Sequence, residues 1–182
     1  MNVSAKRQFL RDEFHGLTLG ATMQRANVYP KGLSEAERAP LHGALRCALD
    51  ELADQYAVVV DEAVHLSNIE LLADRVSREH GLILQGGRFR IGPAQKALNL
   101  FLKYLWCADE IPIPPHCPFD QRIIAELPMK ARCSWTVLND MDGYQRLVDA
   151  ARQLAAGTPL AEWELSVYNT VSVAGRRVTR RA

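Results

Sequence analysis

The 182 residues contain 22 Lys and Arg against 21 Asp and Glu, a formal net charge of +1. This balance excludes binding to nucleic acid through overall charge, so any such binding must be local. The composition, 48% hydrophobic and 24% charged, is typical of a single globular domain over residues 1–182. No apolar run approaches the roughly 20 residues that span a bilayer, so we expect no membrane partner.

Cysteine usage and the N-terminal charges bear on the cellular compartment. Lys6, Arg7 and Arg11 lie where a secretory signal would be apolar. The four cysteines include no Cys-x-x-Cys pair, so free thiols in a reducing cytoplasm are the simplest interpretation. The cysteines and histidines also lack the spacing of three or four zinc ligands. The sequence therefore predicts a cytoplasmic protein with no metal site, and it implies no cofactor.

Two helices are predicted in the first third of the chain. The first covers residues 5–14 and is followed by a loop. Ser34 and Glu37 have the spacing of a capping box, in which each side chain satisfies a backbone group at a helix start. Leucines follow at intervals of three or four and form one apolar face. Pro40 is expected to kink this helix or to delay its start.

The middle of the chain alternates helix and turn signals. Ser67 and Glu70 repeat the capping-box spacing, which predicts that another helix starts at Ser67. A strongly apolar helix is predicted over residues 93–106, with proline in its first turn, and it should be central. The proline-rich segment 111–115 then forms a loop. A further helix is predicted over residues 118–127.

The last third completes a helical pattern. Asp142 is expected to cap a helix that ends near residue 156, and Pro159 begins another. Residues 175–182 form a basic tail that we expect to be mobile. Five or more helices with almost no convincing strand predict an all-α fold, an orthogonal bundle.

The turn before the central helix is a candidate anion site. It contains Arg88, Arg90 and Gly92 immediately ahead of a helix start. Backbone N–H groups at a helix N-terminus attract anions, usually phosphate, and the arginines would add charge-assisted hydrogen bonds. The alternative is a simple connection with solvated arginines.

Three ionisable residues in the next segments are candidates for chemistry. Lys96 lies near the start of its helix, where the dipole disfavours the charged ammonium, and a free amine can form a Schiff base. Lys103 lies two turns further on and is expected on a solvated stripe. Asp120 is either a helix-capping aspartate or a fixed anion or general base facing a developing cation.

Aromatic residues and one histidine are candidates for lining a pocket. We expect His116 to line a pocket or to bond to the backbone rather than to form a nucleophilic pair with its neighbour Cys117, because adjacent side chains diverge. Tryptophans are more often core residues, yet at least one should line a cleft. We take Trp106, His116 and Trp135 as pocket candidates.

The order of these features resembles the helix-hairpin-helix superfamily of DNA glycosylases, and within it the archaeal 8-oxoguanine branch. The family hairpin reads approximately Leu-Pro-Gly-Val-Gly-x-Lys, and residues 91–96 match its first glycine with Gly92 and its lysine with Lys96. The later Pro-Val-Asp of the family matches residues 118–120. Ala94 replaces the second hairpin glycine. The match covers a small part of the chain.

The resemblance implies a helix-hairpin-helix-like element and a role for each matched residue. Lys96 would be the Schiff-base nucleophile, and Asp120 would assist attack on the sugar of a flipped damaged or modified base. Arg88, Arg90, Gly92 and Gln95 would contact DNA. The expected function is therefore that of a base-excision glycosylase with abasic-site (AP) lyase activity, in DNA repair or against modified foreign DNA.

Two alternatives remain open from the sequence. One is a non-catalytic helical module that binds DNA or protein, in which Asp120 only caps its helix and Lys96 is solvated. The other is an enzyme of a different class that uses His116, Cys117 or Cys133, which would require a pocket around those side chains.

Overall fold

Helix α4 (Ile91–Cys107) is the central element of the computed structural model, which describes residues 5–179 and their side chains as far as Thr170. Nearly all of its residues are buried from Ile91 through Lys103. Four helices pack on it: α1 (Ala5–Met23), α2 (Glu35–Ala53), α3 (Glu62–His80) and α6 (Met141–Ala155). Such burial fits the mostly apolar sequence of α4.

Two further helices complete the bundle. They are α5 (Gln121–Glu126) and α7 (Leu160–Thr179), which pack against each other. Short 3₁₀ helices lie between the longer elements, at Asp54–Ala57, Gly81–Ile83, Gln85–Gly87 and Met129–Ala131. The described residues form no strand. The protein is an all-α helical bundle, as the sequence predicts.

The start of α2 is confirmed and the start of α3 is not. The Ser34 hydroxyl accepts from the Glu37 N–H, and the Glu37 carboxylate accepts from the Ser34 N–H. Helix α2 begins at Glu35, so Pro40 does not delay it. The predicted start of α3 at Ser67 is wrong. Asp61 caps α3 through the N–H of Val64, and the helix is already formed when the chain reaches Ser67.

Other boundaries differ from the expectation because of packing and capping. Helix α1 continues to Met23 rather than ending near residue 14, since His15, Thr18 and Thr22 are buried in its second half. Asp140, not Asp142, caps α6 by accepting from the Gly143 N–H.

The C-terminal part of the chain is described only in part. The backbone of α7 extends to Thr179, and side chains beyond Thr170 lie outside the described residues, as does the chain from 180 to 182. The mobile tail predicted for residues 175–182 therefore falls largely outside them. Over residues 5–179, no helix is both long enough and apolar enough to cross a membrane.

Candidate functional site

Lys96 and Asp120 meet at the edge of the core. The Lys96 Nζ atom lies 2.9 Å from the Asp120 Oδ2 atom, although the two residues are 24 positions apart. Lys96 is in the second turn of α4, and Asp120 immediately precedes α5. The Lys96 side chain is 6% exposed and that of Asp120 is 34% exposed. The pair is thus buried at the ammonium and open to solvent at the carboxylate.

The Asp120 carboxylate also caps α5. Its Oδ1 atom accepts from the backbone N–H groups of Arg122 and Ile123, while Oδ2 accepts from Lys96. Burial by itself would raise the pKa of Asp120, but the Lys96 ammonium and these N–H donors outweigh burial and lower the pKa below its usual value. The interpretation of Asp120 as a helix cap is therefore confirmed, and the same carboxylate lies beside the Lys96 ammonium.

A cavity of about 290 Å³ opens beside this pair. Its wall includes two exposed arginines, Arg25 and Arg122, in addition to Lys96. The aromatic side chains of its wall are Tyr104, Trp135 and Tyr168. Three cations against one carboxylate make the cavity positively charged, and Tyr104 and Tyr168 are the rings of its wall that are not fully buried. This lining suits an anionic ligand that carries a planar group.

A second buried ion pair adjoins the first. The Lys103 Nζ atom lies 2.5 Å from Glu164 Oε2, with the side chains 10% and 4% exposed. Burial raises the pKa of Glu164 although the Lys103 ammonium opposes this shift. A neighbouring cavity of about 280 Å³ is lined by both ion pairs. Two paired lysines therefore lie along one face of α4.

The prediction that Lys103 lies on a solvated stripe is wrong, because Glu164 of α7 covers it. Glu164 was not singled out from the sequence. A local signal existed: Glu164 follows Leu160 by one helical turn and so shares its buried face. A carboxylate on that face needs a cationic partner, which only the packing of α7 against α4 identifies.

Gln95 is fully buried rather than available to DNA. Its Nε2 group donates to the Phe119 carbonyl at 2.8 Å, and its Oε1 atom accepts from the Phe119 N–H at 3.1 Å. The Gln95 side chain therefore joins α4 to the residue that precedes Asp120. The expectation that it faces a ligand is wrong, since its amide is used inside the protein.

The turn ahead of α4 is occupied by internal contacts. The Gly92 N–H donates to the Leu138 carbonyl, and a Cβ atom at Gly92 would lie 1.6 Å from the Trp135 oxygen. Arg90 donates to the carbonyls of Thr136, Ala26 and Asn27. The expectation of a free backbone N–H at Gly92 is wrong, because the 135–138 loop packs against it.

Arg88 is paired as well. Its guanidinium lies 2.6 Å from Asp74 on α3. Of the two arginines in the turn, Arg88 thus has a carboxylate partner and Arg90 has backbone partners. The cations that border the cavity beside Lys96 come from other segments, namely Arg25 after α1 and Arg122 on α5.

The three pocket candidates have different positions. Trp135 lines the cavity beside Lys96, whereas neither Trp106 nor His116 is part of its wall. His116 is fully buried, with Nδ1 2.8 Å from the Tyr144 hydroxyl and Nε2 3.4 Å from Glu62. Burial lowers the pKa of His116 to about 4, so the imidazole is neutral at pH 7.

The cysteines offer no activated nucleophile near this cavity. Cys117 is fully buried, and burial raises the pKa of its thiol well above the usual value. Burial likewise raises the pKa of the partly exposed Cys133. Within the described residues, no three His, Cys, Asp or Glu side chains converge as a metal-binding group.

Comparison with known proteins gives no relative. The chain matches no protein-family model, no curated protein and no solved structure. The geometry of the site and the local sequence resemblance therefore carry the functional argument.

Proposed function

We propose that this protein is a DNA base-excision glycosylase with Schiff-base AP lyase activity. The observation that carries the proposal is the convergence of Lys96 and Asp120, 2.9 Å apart, at the wall of an open, positively charged cavity. These are the two residues to which the local resemblance assigns the nucleophile and the assisting carboxylate. The two residues that the local resemblance matches are thus the two that meet at the wall of the cavity.

The cavity has the chemistry that a flipped nucleotide requires. A base leaves the duplex to reach an enzyme's reactive groups and is then stacked against aromatic or apolar side chains. The exposed Tyr168 and the partly exposed Tyr104 supply such surfaces, whereas Trp135 is 2% exposed. Arg25 and Arg122 border the same cavity and would contact the flanking phosphates. In this proposal they take the role that the sequence suggested for Arg88 and Arg90.

The reaction divides between the two residues as follows. The Asp120 carboxylate stabilises positive charge on the sugar while the bond from C1′ to the base nitrogen breaks, and the departing base takes a proton from the Lys96 ammonium. The Lys96 amine then bonds to C1′, and its second proton passes to the ring oxygen O4′ as the C1′–O4′ bond breaks and the Schiff base forms. A water molecule then takes a proton from C2′, and the electron pair of that bond forms the C2′=C3′ double bond and expels the 3′ phosphate, which cleaves the strand.

The alternatives fit the geometry less well. A binding module without chemistry predicts a solvated Lys96, whereas Lys96 is 5% exposed and paired with Asp120. An enzyme that uses His116, Cys117 or Cys133 requires a pocket around those side chains. His116 and Cys117 are fully buried, and the partly exposed Cys133 lines neither of the two cavities described above.

The test is borohydride trapping on duplex DNA that contains an abasic site. Borohydride reduces a Schiff base to a stable amine, so a lyase becomes covalently attached to its DNA. We expect trapping by the wild-type protein and none by Lys96→Gln. Lys6→Gln removes an exposed lysine of α1 and is the matched control, which should trap normally.

Peptide mapping of the trapped adduct separates the two lysines of α4. An adduct on Lys96 supports the proposal, and a panel of duplexes with damaged or modified bases then identifies the substrate. Trapping that persists in Lys96→Gln, or an adduct mapped to Lys103, would overturn the assignment of the nucleophile. Absence of trapping by the wild-type protein would overturn the proposed lyase activity.

A further inference from the structure

The side chain of Gln95 makes a double hydrogen bond to a single backbone unit. Its amide N–H donates to the carbonyl of Phe119, and its amide oxygen accepts from the N–H of the same residue. Gln95 directly precedes Lys96, and Phe119 directly precedes Asp120. The two hydrogen bonds therefore join the residue before Lys96 to the residue before Asp120.

A chain of buried side chains continues from the Gln95 amide into the core. Asn99 Nδ2 donates to the Gln95 oxygen at 3.2 Å and to the Tyr144 hydroxyl at 3.1 Å. That hydroxyl in turn lies 2.8 Å from His116 Nδ1. The backbone of Phe119 itself fixes the Gln95 amide, because the Phe119 N–H can only donate and so faces the Gln95 oxygen, while the Phe119 carbonyl can only accept and so faces the Gln95 NH₂.

The chain around Phe119 and Asp120 has little regular secondary structure that could hold it in position. Asp120 follows a proline-rich loop and precedes α5, a helix of 6 residues, Gln121–Glu126. A short helix of this kind has few internal hydrogen bonds to hold its first residue. The Gln95 amide supplies two hydrogen bonds at the residue before the cap, in a fully buried setting where such bonds are costly to lose.

We infer that Gln95 is a positioning residue, whose amide holds Phe119 so that the Asp120 carboxylate stays in contact with Lys96. Its importance for catalysis rests on the proposed function, whereas its control of the geometry of the pair does not. A displacement of about 1 Å at such a pair is expected to cost on the order of 100-fold in rate. Gln95 itself touches no reacting atom.

The experiment measures the ion pair directly, without DNA. Carbon-13 NMR titration of the Asp120 carboxyl, assigned with Asp120→Asn, reports the contact with Lys96, because the Lys96 ammonium lowers the pKa of that carboxyl. Gln95→Met keeps the length of the side chain and removes both hydrogen bonds. We expect the pKa of Asp120 to rise toward its usual value in this variant.

Asn68→Leu is the matched control. Asn68 is another buried amide, which donates to Gln55 and Tyr56, and its loss should destabilise the protein without moving the pKa of Asp120. If Gln95→Met does not fold, Gln95→Asn replaces it, because the shorter side chain keeps an amide but cannot reach both backbone groups.

The outcomes are separable from those of the trapping experiment. A rise of the Asp120 pKa in the Gln95 variant but not in Asn68→Leu supports the positioning role, whether or not the protein traps on DNA. If trapping does occur, the Gln95 variant should trap on the order of 100-fold more slowly at saturating DNA. The DNA concentration that gives half of the maximal trapping rate should not change. An unchanged Asp120 pKa in a folded Gln95 variant would overturn the inference.

Discussion

The two oxygens of Asp120 have different partners, and this separates its two roles. Oδ1 accepts from the backbone at the start of α5, and Oδ2 accepts from Lys96. Asparagine can keep the first contact, since an amide oxygen also caps a helix, but it carries no charge for the second. A substitution at this position can therefore remove the ion pair while it leaves the cap in place.

Asp120→Asn should lower both stability and activity. Lys96 would remain buried without its anion, and we expect the free energy of unfolding to fall by about 2 kcal/mol, less than for a fully buried pair because Asp120 is partly exposed. Loss of the carboxylate should also slow borohydride trapping by about 100-fold. Urea unfolding and trapping kinetics measure the two effects.

Asp140→Asn is the control for this substitution. Asp140 caps α6 by accepting a hydrogen bond from the Gly143 N–H. Its replacement should change stability by only a few tenths of a kcal/mol. Equal destabilisation in the two variants would show that the ion pair at Asp120 contributes nothing beyond the cap.

Gly92→Ala tests the close approach of α4 to the 135–138 loop. The added Cβ atom would lie 1.6 Å from the Trp135 oxygen, so the loop that places Trp135 beside the cavity must move. We expect a loss of about 3 kcal/mol in urea unfolding. Gly43→Ala on α2 is the control, because a Cβ there meets nothing within 4 Å and alanine favours the helix. A Gly92→Ala variant as stable as wild type would contradict the packing described.

At the scale of elements, the two capping-box patterns show what a local signal can and cannot decide. Ser34 and Ser67 have the same spacing to a glutamate, yet only Ser34 lies at a helix start. Helix α3 begins earlier, where the Asp61 side chain caps it. The pattern predicted that helices exist in both regions, but it placed one of the two starts incorrectly because a competing cap lay upstream.

Ser34→Ala and Ser67→Ala should therefore have different effects. Loss of the Ser34 hydroxyl removes both the cap and its hydrogen bond with Glu37, and should cost about 1 kcal/mol in urea unfolding. Ser67 is exposed inside α3, where alanine is the better helix former, so its replacement should be neutral or slightly stabilising. Destabilisation by Ser67→Ala equal to that by Ser34→Ala would contradict the observed start of α3.

At the scale of the whole molecule, two neutral histidines lie inside the bundle. His65 of α3 and His116 of the proline-rich loop contact each other edge to face, with ring centroids 4.6 Å apart. Burial lowers the pKa of His65 to about 3 and that of His116 to about 4, from a usual 6.5. The folded protein therefore resists taking up protons that the unfolded chain binds readily.

This difference predicts acid sensitivity. Stability should be fully present above pH 6.5 and should fall as the pH drops toward 4, since only the unfolded chain is protonated in that interval. For each histidine, the free energy of unfolding should fall by at most about 1.4 kcal/mol for each pH unit in that interval. Urea unfolding at several pH values should show this fall, with a shallower slope in His116→Gln. His80→Gln, at the partly exposed end of α3, is the control. A stability independent of pH between 6.5 and 4 would contradict the neutral pair.

The sequence by itself determined the helical class, the apolar character of α4 and the presence of Lys96 and Asp120 near two helix starts. These properties are local, because periodicity, capping residues and prolines act within a few positions of the chain. The candidate site was therefore predictable as a pair of residues, but the distance between them was not.

Only the tertiary structure decided which side chains the interior would use. Gln95 and Lys103 are polar residues of the kind usually found at the surface, and glycine, as at position 92, is typical of flexible turns. All three residues are nevertheless buried against segments that are distant in sequence. Their partners, Phe119, Glu164 and the 135–138 loop, are brought to them by packing. A buried polar group must find a partner, and which partner it finds depends on the relative placement of whole helices rather than on spacing in sequence.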